Sequence, residues 1–389
     1  LKTKPPLPIF FYKKAEACGK SSRRPRPFFW FCDSLVFPIE HPAHHEHAVQ
    51  HGQAPGKGVG KADANIAQAC FHGQQTAQAA AEALGIPETA VLVASTGVIG
   101  MQLPMDRITA GVKALAGVLS DKEDAGREAA EAIMTTDTHS KQVAVTVELS
   151  GKTVTIGGMA KGSGMIHPNM CTMLGFVTTD VNISKELLQE ALSDSVKDTY
   201  NMVSVDGDTS TNDTVLLLAN AQAQNAEITE KNEDYAKFTE ALGYVNTWLA
   251  KHIAADGEGA TALFEVKVIH AESKEQAVTL SKSIITSNLT KAAIFGHDAN
   301  WGRILCAMGY SGAQFDPEKV DLYFESAAGS LKIIEDGVAT GYSEEEATKI
   351  LSEKEVTAIA DIKMGDAEAT AWGCDLTYDY VKINADYRS

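Results

Sequence analysis

Apolar and polar positions fall into a regular order from residue 76 onward. Residues 76–84 are alanine-rich and stop at Gly85-Ile86-Pro87, which predicts a helix closed by a glycine and ended by a proline. Residues 90–94 form a short apolar run ending in Ser95-Thr96-Gly97, a strand that leads into a loop. Ser120 and Glu123 have the spacing of a capping box and predict a helix through Ile133. Val143, Val145 and Val147 alternate with small or polar residues. Ser150-Gly151 then turns the chain into residues 153–156, which predicts a β-hairpin.

Farther along, residues 184–192 and 232–254 read as helices, and Phe264, Val266 and Val268 as one face of a strand. Ser273 and Gln276 cap the helix after it. Residues 320–324, 356–362 and 378–384 read as late strands. Helices and strands alternate irregularly and hairpins are present. The expected class is therefore mixed α/β with substantial antiparallel sheet, not a regular βαβ winding. The first sixty or so residues show neither period: aromatics cluster at 28–31, histidines at 41–51, and glycines and lysines at 56–61.

Composition narrows the function classes. Hydrophobic residues at 44% and charged residues at 22% suit a globular enzyme, and 389 residues suffice for one large or two to three ordinary domains. Apolar runs such as 215–219 are too short to span a bilayer, so no membrane partner is expected. A net charge of −17 opposes nonspecific binding to nucleic acid. The six cysteines are scattered without metal-finger spacing, which favours reduced thiols and a cytoplasmic setting. Residues 1–32 carry eight basic residues against Glu16 alone, the charge balance of a targeting segment. Pro5, Pro6, Pro8, Pro25 and Pro27 oppose the amphipathic helix such a segment needs.

The densest chemistry lies in Lys161-Gly-Ser-Gly-Met-Ile-His-Pro-Asn-Met-Cys-Thr-Met-Leu174. On spacing alone it reads as a glycine-rich loop before a buried strand, in which glycines let backbone approach backbone or ligand. The whole stretch closely resembles the signature of the ornithine acetyltransferase (glutamate N-acetyltransferase) family. In that family the precursor breaks immediately before the threonine of a Pro-Asn-Met-small-Thr-Met-Leu segment. Here that threonine is Thr172, and the small residue before it is Cys171 where alanine is commoner. Further blocks resemble the family in order: Val93-Ala-Ser-Thr-Gly-Val-Ile-Gly100, Thr135-Thr-Asp-Thr138, residues 205–213, Asp256-Gly-Glu-Gly-Ala260, residues 293–303 and residues 372–384. The likeness runs from about Asn65 to Ser389 and stops upstream. Residues 1 to about 64 are thus expected to be a frameshifted or misassigned stretch, which an intact mass matching the printed sequence would disprove.

The resemblance implies an αββα sandwich with mixed, largely antiparallel sheets. It implies self-cleavage between Cys171 and Thr172 into fragments 1–171 and 172–389, two copies of each associating. It implies acetyl transfer from N2-acetylornithine to glutamate through an acetyl ester on Thr172, in arginine biosynthesis. Thr96 and Gly97 would hold the oxyanion. Thr135, Lys161, Thr172, Glu258, Asn384 and Ser389 would contact substrate, although Thr136 leaves a one-residue ambiguity beside Thr135, and Ser389 stands where threonine is usual. No metal or organic cofactor is implied, and acetyl-CoA would enter only as a second substrate.

The chemistry is coherent. A threonine hydroxyl needs an adjacent base, and cleavage creates an α-amine on the same residue with a reference pKa of about 7.7–8.0. Lys161 suits an α-carboxylate and Glu258 a side-chain ammonium, though on sequence alone both would be ordinary solvated charges. A self-cleaving aminopeptidase or amidase would use the same threonine with water as acceptor. Other features carry less. Asp206, Asp208 and Asp213 lack calcium-loop spacing and read as a polar turn. Residues 56–61 lack the pattern of a phosphate-binding loop, and His44, His45, His47 and Glu46 read as an irregular surface segment. His167 and His297 are acid–base candidates that a self-supplied amine makes unnecessary.

Overall fold

The computed structural model describes residues 33–38, 47–51, 62–98, 101–167, 173–209 and 212–386. The chain begins with β1 (Asp33–Pro38), β2 (His47–His51), α1 (Ala62–Leu84), β3 (Val91–Thr96), α2 (Met105–Ala116) and α3 (Glu123–Ala132). It continues through β4 (Lys141–Leu149), β5 (Lys152–Lys161), β6 (Leu174–Thr179), α4 (Lys185–Asp198), β7 (Val203–Ser204), β8 (Thr214–Ala219) and α5 (Glu233–Ala255). Then come β9 (Leu263–Ala271), α6 (Lys274–Thr286), α7 (Asn288–Phe295), α8 (Trp301–Gly309), β10 (Asp321–Ser326), β11 (Gly329–Glu335) and β12 (Val338–Ala339). The last elements are α9 (Glu344–Leu351), β13 (Glu355–Asp361), β14 (Ala367–Cys374) and α10 (Tyr378–Asp386).

Two sheets organise the molecule. One has the order β2-β8-β6-β5-β4 and the other β12-β11-β10-β13-β9-β14-β7, while β1 pairs with β3 alone. The pairs β6–β8, β9–β13 and β7–β14 are parallel and the remaining ladders antiparallel. This is an α/β sandwich with mixed, largely antiparallel sheets. Helix α5 packs against β4 and β5 of one sheet and β9 and β14 of the other. Its buried stripe of Phe238, Leu242, Val245, Leu249 and Ile253 recurs at helical spacing, each side chain contributing about 1.5–3 kcal/mol on burial. A second apolar cluster joins Ala94 of β3 and Ala129, Ala130 and Ile133 of the α3 region to Met159, Leu174, Phe176 and Leu216. It lays β3 over the face of the five-stranded sheet that carries Met159.

Local signals explain much of this. Ser150 and Gly151 both adopt positive φ, 48° and 72°, which matches the twist a two-residue hairpin demands. Ser184, Asn232 and Ser273 each accept an N–H from the first turn of α4, α5 and α6. Two expectations fail. Ser120 accepts from Lys122 two residues on and forms a turn, so α3 starts at Glu123 without a side-chain cap. Residues 378–384 are helical, not a strand: the Thr377 hydroxyl accepts the Tyr380 N–H, and the Asn384 amide donates to the Tyr380 carbonyl a turn earlier. The apparent alternation there buries nothing, because Tyr378 and Val381 are exposed.

Candidate active site

Strand register places the site. Lys161, the last residue of β5, pairs with Leu174, the first of β6, and Leu174 pairs with Thr214 at the start of β8. Side chains two apart on a strand share a face, so Lys161 lies on the Met159 face, the one against which Ala94 of β3 packs. Thr172 precedes Leu174 by two residues. Thr172, Cys171 and Ser389 lie outside the described residues, as do residues 56–61, His44, His45 and Glu46; the backbone of His47 opens β2. Thr96 is buried and Gly97 exposed.

The segment that follows β5 folds onto the loop after α5. The Glu258 N–H donates to the Ser163 carbonyl at 3.0 Å, and the Ser163 hydroxyl donates to the Asp256 carbonyl at 2.7 Å. The Glu258 carboxylate presses on Gly164, where a Cβ would stand 2.3 Å from its carbon and nearer oxygen. Only glycine leaves room for that carboxylate. Its Oε2 accepts the Asn384 amide at 2.8 Å, and α10 is brought there because the Thr377 hydroxyl donates to the Gly259 carbonyl. Lys161 and Glu258, solvated charges on sequence alone, are 3% and 7% exposed.

Asp137 draws Thr135 to the same place. Its Oδ2 accepts the Thr135 N–H at 3.1 Å, and its Oδ1 accepts the Gly162 N–H at 2.8 Å. Burial pushes the Asp137 carboxyl up, but Lys141, Lys161 and the Gly162 N–H together hold it below the usual carboxylate range. Thr135, Lys161, Glu258 and Asn384 are thereby brought together. Sequence reasoning missed Asp137, Lys141 and Asp256, although the blocks 135–138 and 256–260 were already conspicuous. Lys141 is fully buried, with its ammonium 2.6 Å from both Asp137 and Asp256.

Asp213 is a fourth residue that sequence reasoning did not place in the site. Its Oδ1 accepts the Met173 N–H at 2.5 Å, and its buried Oδ2 has no hydrogen-bond partner among the described residues. Burial pushes its carboxyl up to about 8, with the Met173 N–H and Lys161 opposing. Asp206 behaves differently: its carboxylate accepts the N–H groups of Met165, Ile166 and Asp208 and shapes the turn ahead of the Thr172 segment. His167 is half-buried, 3.0 Å from the Ser204 hydroxyl, and burial and then Lys282 push it down to about 4. His297 lies on the surface two residues past the end of α7, beside Ser352. No helix among the described residues is long and apolar enough to cross a membrane.

The arrangement offers a buried cation and a buried carboxylate on either side of a glycine-rich turn, next to the chain that enters β6. Comparison with known proteins gives it a context. The model of the ArgJ family matches residues 59–389. The arginine biosynthesis bifunctional protein ArgJ of Symbiobacterium thermophilum is 55% identical over 315 residues, covering 81% of this chain and 77% of that protein. That of Thermotoga neapolitana is 50% identical over 333 residues, 84% of this chain and 83% of its own. The crystal structure of the Bacillus halodurans protein is similar with a TM-score of 0.53 at 46% identity, covering 56% of this chain and 100% of that one.

Proposed function

The chain belongs to the ArgJ family and is an acyltransferase, and from that premise we propose that it moves acetyl from N2-acetylornithine to L-glutamate in arginine biosynthesis. The carrier is Thr172, freed by cleavage of the Cys171–Thr172 bond. The observation that carries this reading is the register of β5 on β6, which sets buried Lys161 opposite Leu174, two residues beyond Thr172.

Self-cleavage runs by attack of the Thr172 hydroxyl on the Cys171 carbonyl carbon. The C–N bond breaks as the amine leaves, and water hydrolyses the resulting ester. Before cleavage the Thr172 nitrogen is an amide and cannot act as a base; afterwards it is an amine beside its own hydroxyl. Fragments 1–171 and 172–389 stay associated because β5 of the first and β6 of the second are hydrogen-bonded neighbours in one sheet. We expect two copies of each, in the cytoplasm.

In the mature enzyme the α-amine takes the Thr172 hydroxyl proton as the oxygen attacks the acetyl carbonyl. Thr96 and Gly97 face the oxyanion, a function commonly worth about 2.7–4 kcal/mol for a single donor. The C–N bond breaks, the proton passes to the departing nitrogen, and ornithine leaves an acetyl ester. The neutral amine of glutamate then attacks that ester carbonyl; the C–O bond to Thr172 breaks, the amine's proton passes through the Thr172 α-amine to the threonine oxygen, and N-acetylglutamate leaves. Lys161 pairs with the α-carboxylate of each amino acid, Glu258 with the ornithine ammonium, and Thr135, Asn384 and Ser389 complete the pocket. No bound cofactor takes part, and acetyl-CoA is open to use as a second donor to the same ester.

The experiment follows acetyl from N2-acetylornithine labelled in its acetyl group, with and without glutamate. Labelled N-acetylglutamate formed in step with ornithine supports the transferase. Free acetate released at the same rate without glutamate would instead indicate an amidase.

A further inference from the structure

Lys141, Asp137 and Asp256 form a buried charged clamp with an unusual distribution of bonds. All three side chains are 0–3% exposed. A buried ion pair adds little stability over well-packed apolar groups, so its use has to be sought in what it holds. Asp137 holds Thr135 through Oδ2 and Gly162, next to Lys161, through Oδ1. Asp256 holds the Thr138 N–H at 3.0 Å and the Thr138 hydroxyl, and stands two residues before Glu258. Lys141 joins the two carboxylates from the start of β4, where it pairs with Ala160, the neighbour of Lys161. Every bond of the clamp thus ends on a segment that presents Thr135, Lys161 or Glu258.

We propose that this clamp is a specificity device: by fixing Glu258 relative to Lys161, it sets the length of amino acid that the site accepts. The inference rests on the reading of Lys161 as the carboxylate partner and Glu258 as the ammonium partner. Two opposite charges held at a fixed separation match one chain length between carboxylate and ammonium. A homologue one methylene longer has to displace one of them. An apolar trio would fill the same volume but would leave the Thr135, Gly162 and Thr138 N–H groups without these partners, and the spacing would relax. Lys141, Asp137 and Asp256 are positioning residues, since none is required to touch substrate.

The test measures kcat/KM for N2-acetylornithine and for N2-acetyllysine, one methylene longer, and takes the ratio. Loss of folded protein lowers both values equally and leaves the ratio unmoved. Asp137→Asn removes the charge with little change of shape. It should lower the ratio about tenfold, chiefly through KM for N2-acetylornithine, against the roughly 100-fold that a 1 Å misplacement can cost. Thr138→Val, which removes one hydroxyl bond to Asp256 and leaves the buried charges in place, should shift the ratio the same way by less. It decides the matter if Asp137→Asn does not fold. Asp321→Asn, which weakens the Lys332 and Lys363 pairs at β10, is the remote control and should leave the ratio unchanged. The proposal is overturned if both clamp variants keep the ratio within about twofold of wild type while Glu258→Gln collapses it. If Glu258→Gln also leaves the ratio intact, the reading of Glu258 fails and the proposal with it.

Discussion

Replacing Gly164 by alanine tests the site at its tightest contact. The added Cβ would stand 2.3 Å from the Glu258 carboxyl carbon and Oε1 and 2.4 Å from Oε2, where real contacts do not fall below 3.0 Å. All three atoms are the end of one flexible side chain, so the strain is relieved by moving the carboxylate about 0.7 Å or more, not by opening the backbone. Gly164 is not among the glycines with positive φ, so alanine meets no backbone penalty there. The Asn384 bond to Oε2, at 2.8 Å, is stretched or lost in the same movement. Misplacement on this scale costs about 100-fold in kcat/KM, or about 2.7 kcal/mol of transition-state stabilisation. Stability should barely change, since the glycine-to-alanine gain of about 0.4–1 kcal/mol in the unfolded chain offsets part of the local strain. Steady-state kinetics on N2-acetylornithine, paired with a thermal melt, read the two effects separately. Activity within twofold of wild type at an unchanged melting temperature would refute the placement of Glu258 in the site.

Three further outcomes follow from the same geometry. Asp213 has a folded pKa of about 8, above its usual 3.8, so its contribution to stability is full below about pH 4 and is lost as pH rises through 8. In an uncleaved Thr172→Ala background, Asp213→Asn should therefore flatten the fall of the urea midpoint between pH 5 and about 8; parallel profiles would contradict the assignment. Thr96→Ala should lower kcat about 100- to 1000-fold with KM little changed, and a loss confined to KM would remove Thr96 from the oxyanion role. His167 sits near 4 and is neutral across the working range, so His167→Gln should leave the position of the pH–rate profile unmoved. A displaced limb would make it an acid–base participant.

What could be read from sequence was local. The Ser150-Gly151 turn and the Ser273 cap act within a few residues, and each holds, whereas the Ser120 capping box does not form. Residues 378–384 misled because tyrosine, valine and isoleucine favour strands, while the helix there depends on Thr377 anchored to Gly259, 118 residues away. The candidate site was visible only through its resemblance to a family: nothing near Lys161 or Glu258 announces that either is buried. The clamp was hidden for the same reason, since Lys141 meets Asp256 across 115 residues. Asp213 shows the limit most clearly. Its sequence neighbours suggest a polar turn, but the parallel ladder of β6 on β8 sets it against Met173.

The central claim is that Thr172 is both the point of cleavage and the carrier of acetyl. A denaturing mass spectrum of the purified protein, taken before and after addition of N2-acetylornithine, tests both parts at once. The account predicts two fragments meeting between Cys171 and Thr172, with one acetyl group added to the second. A single intact chain that never acquires acetyl would contradict it.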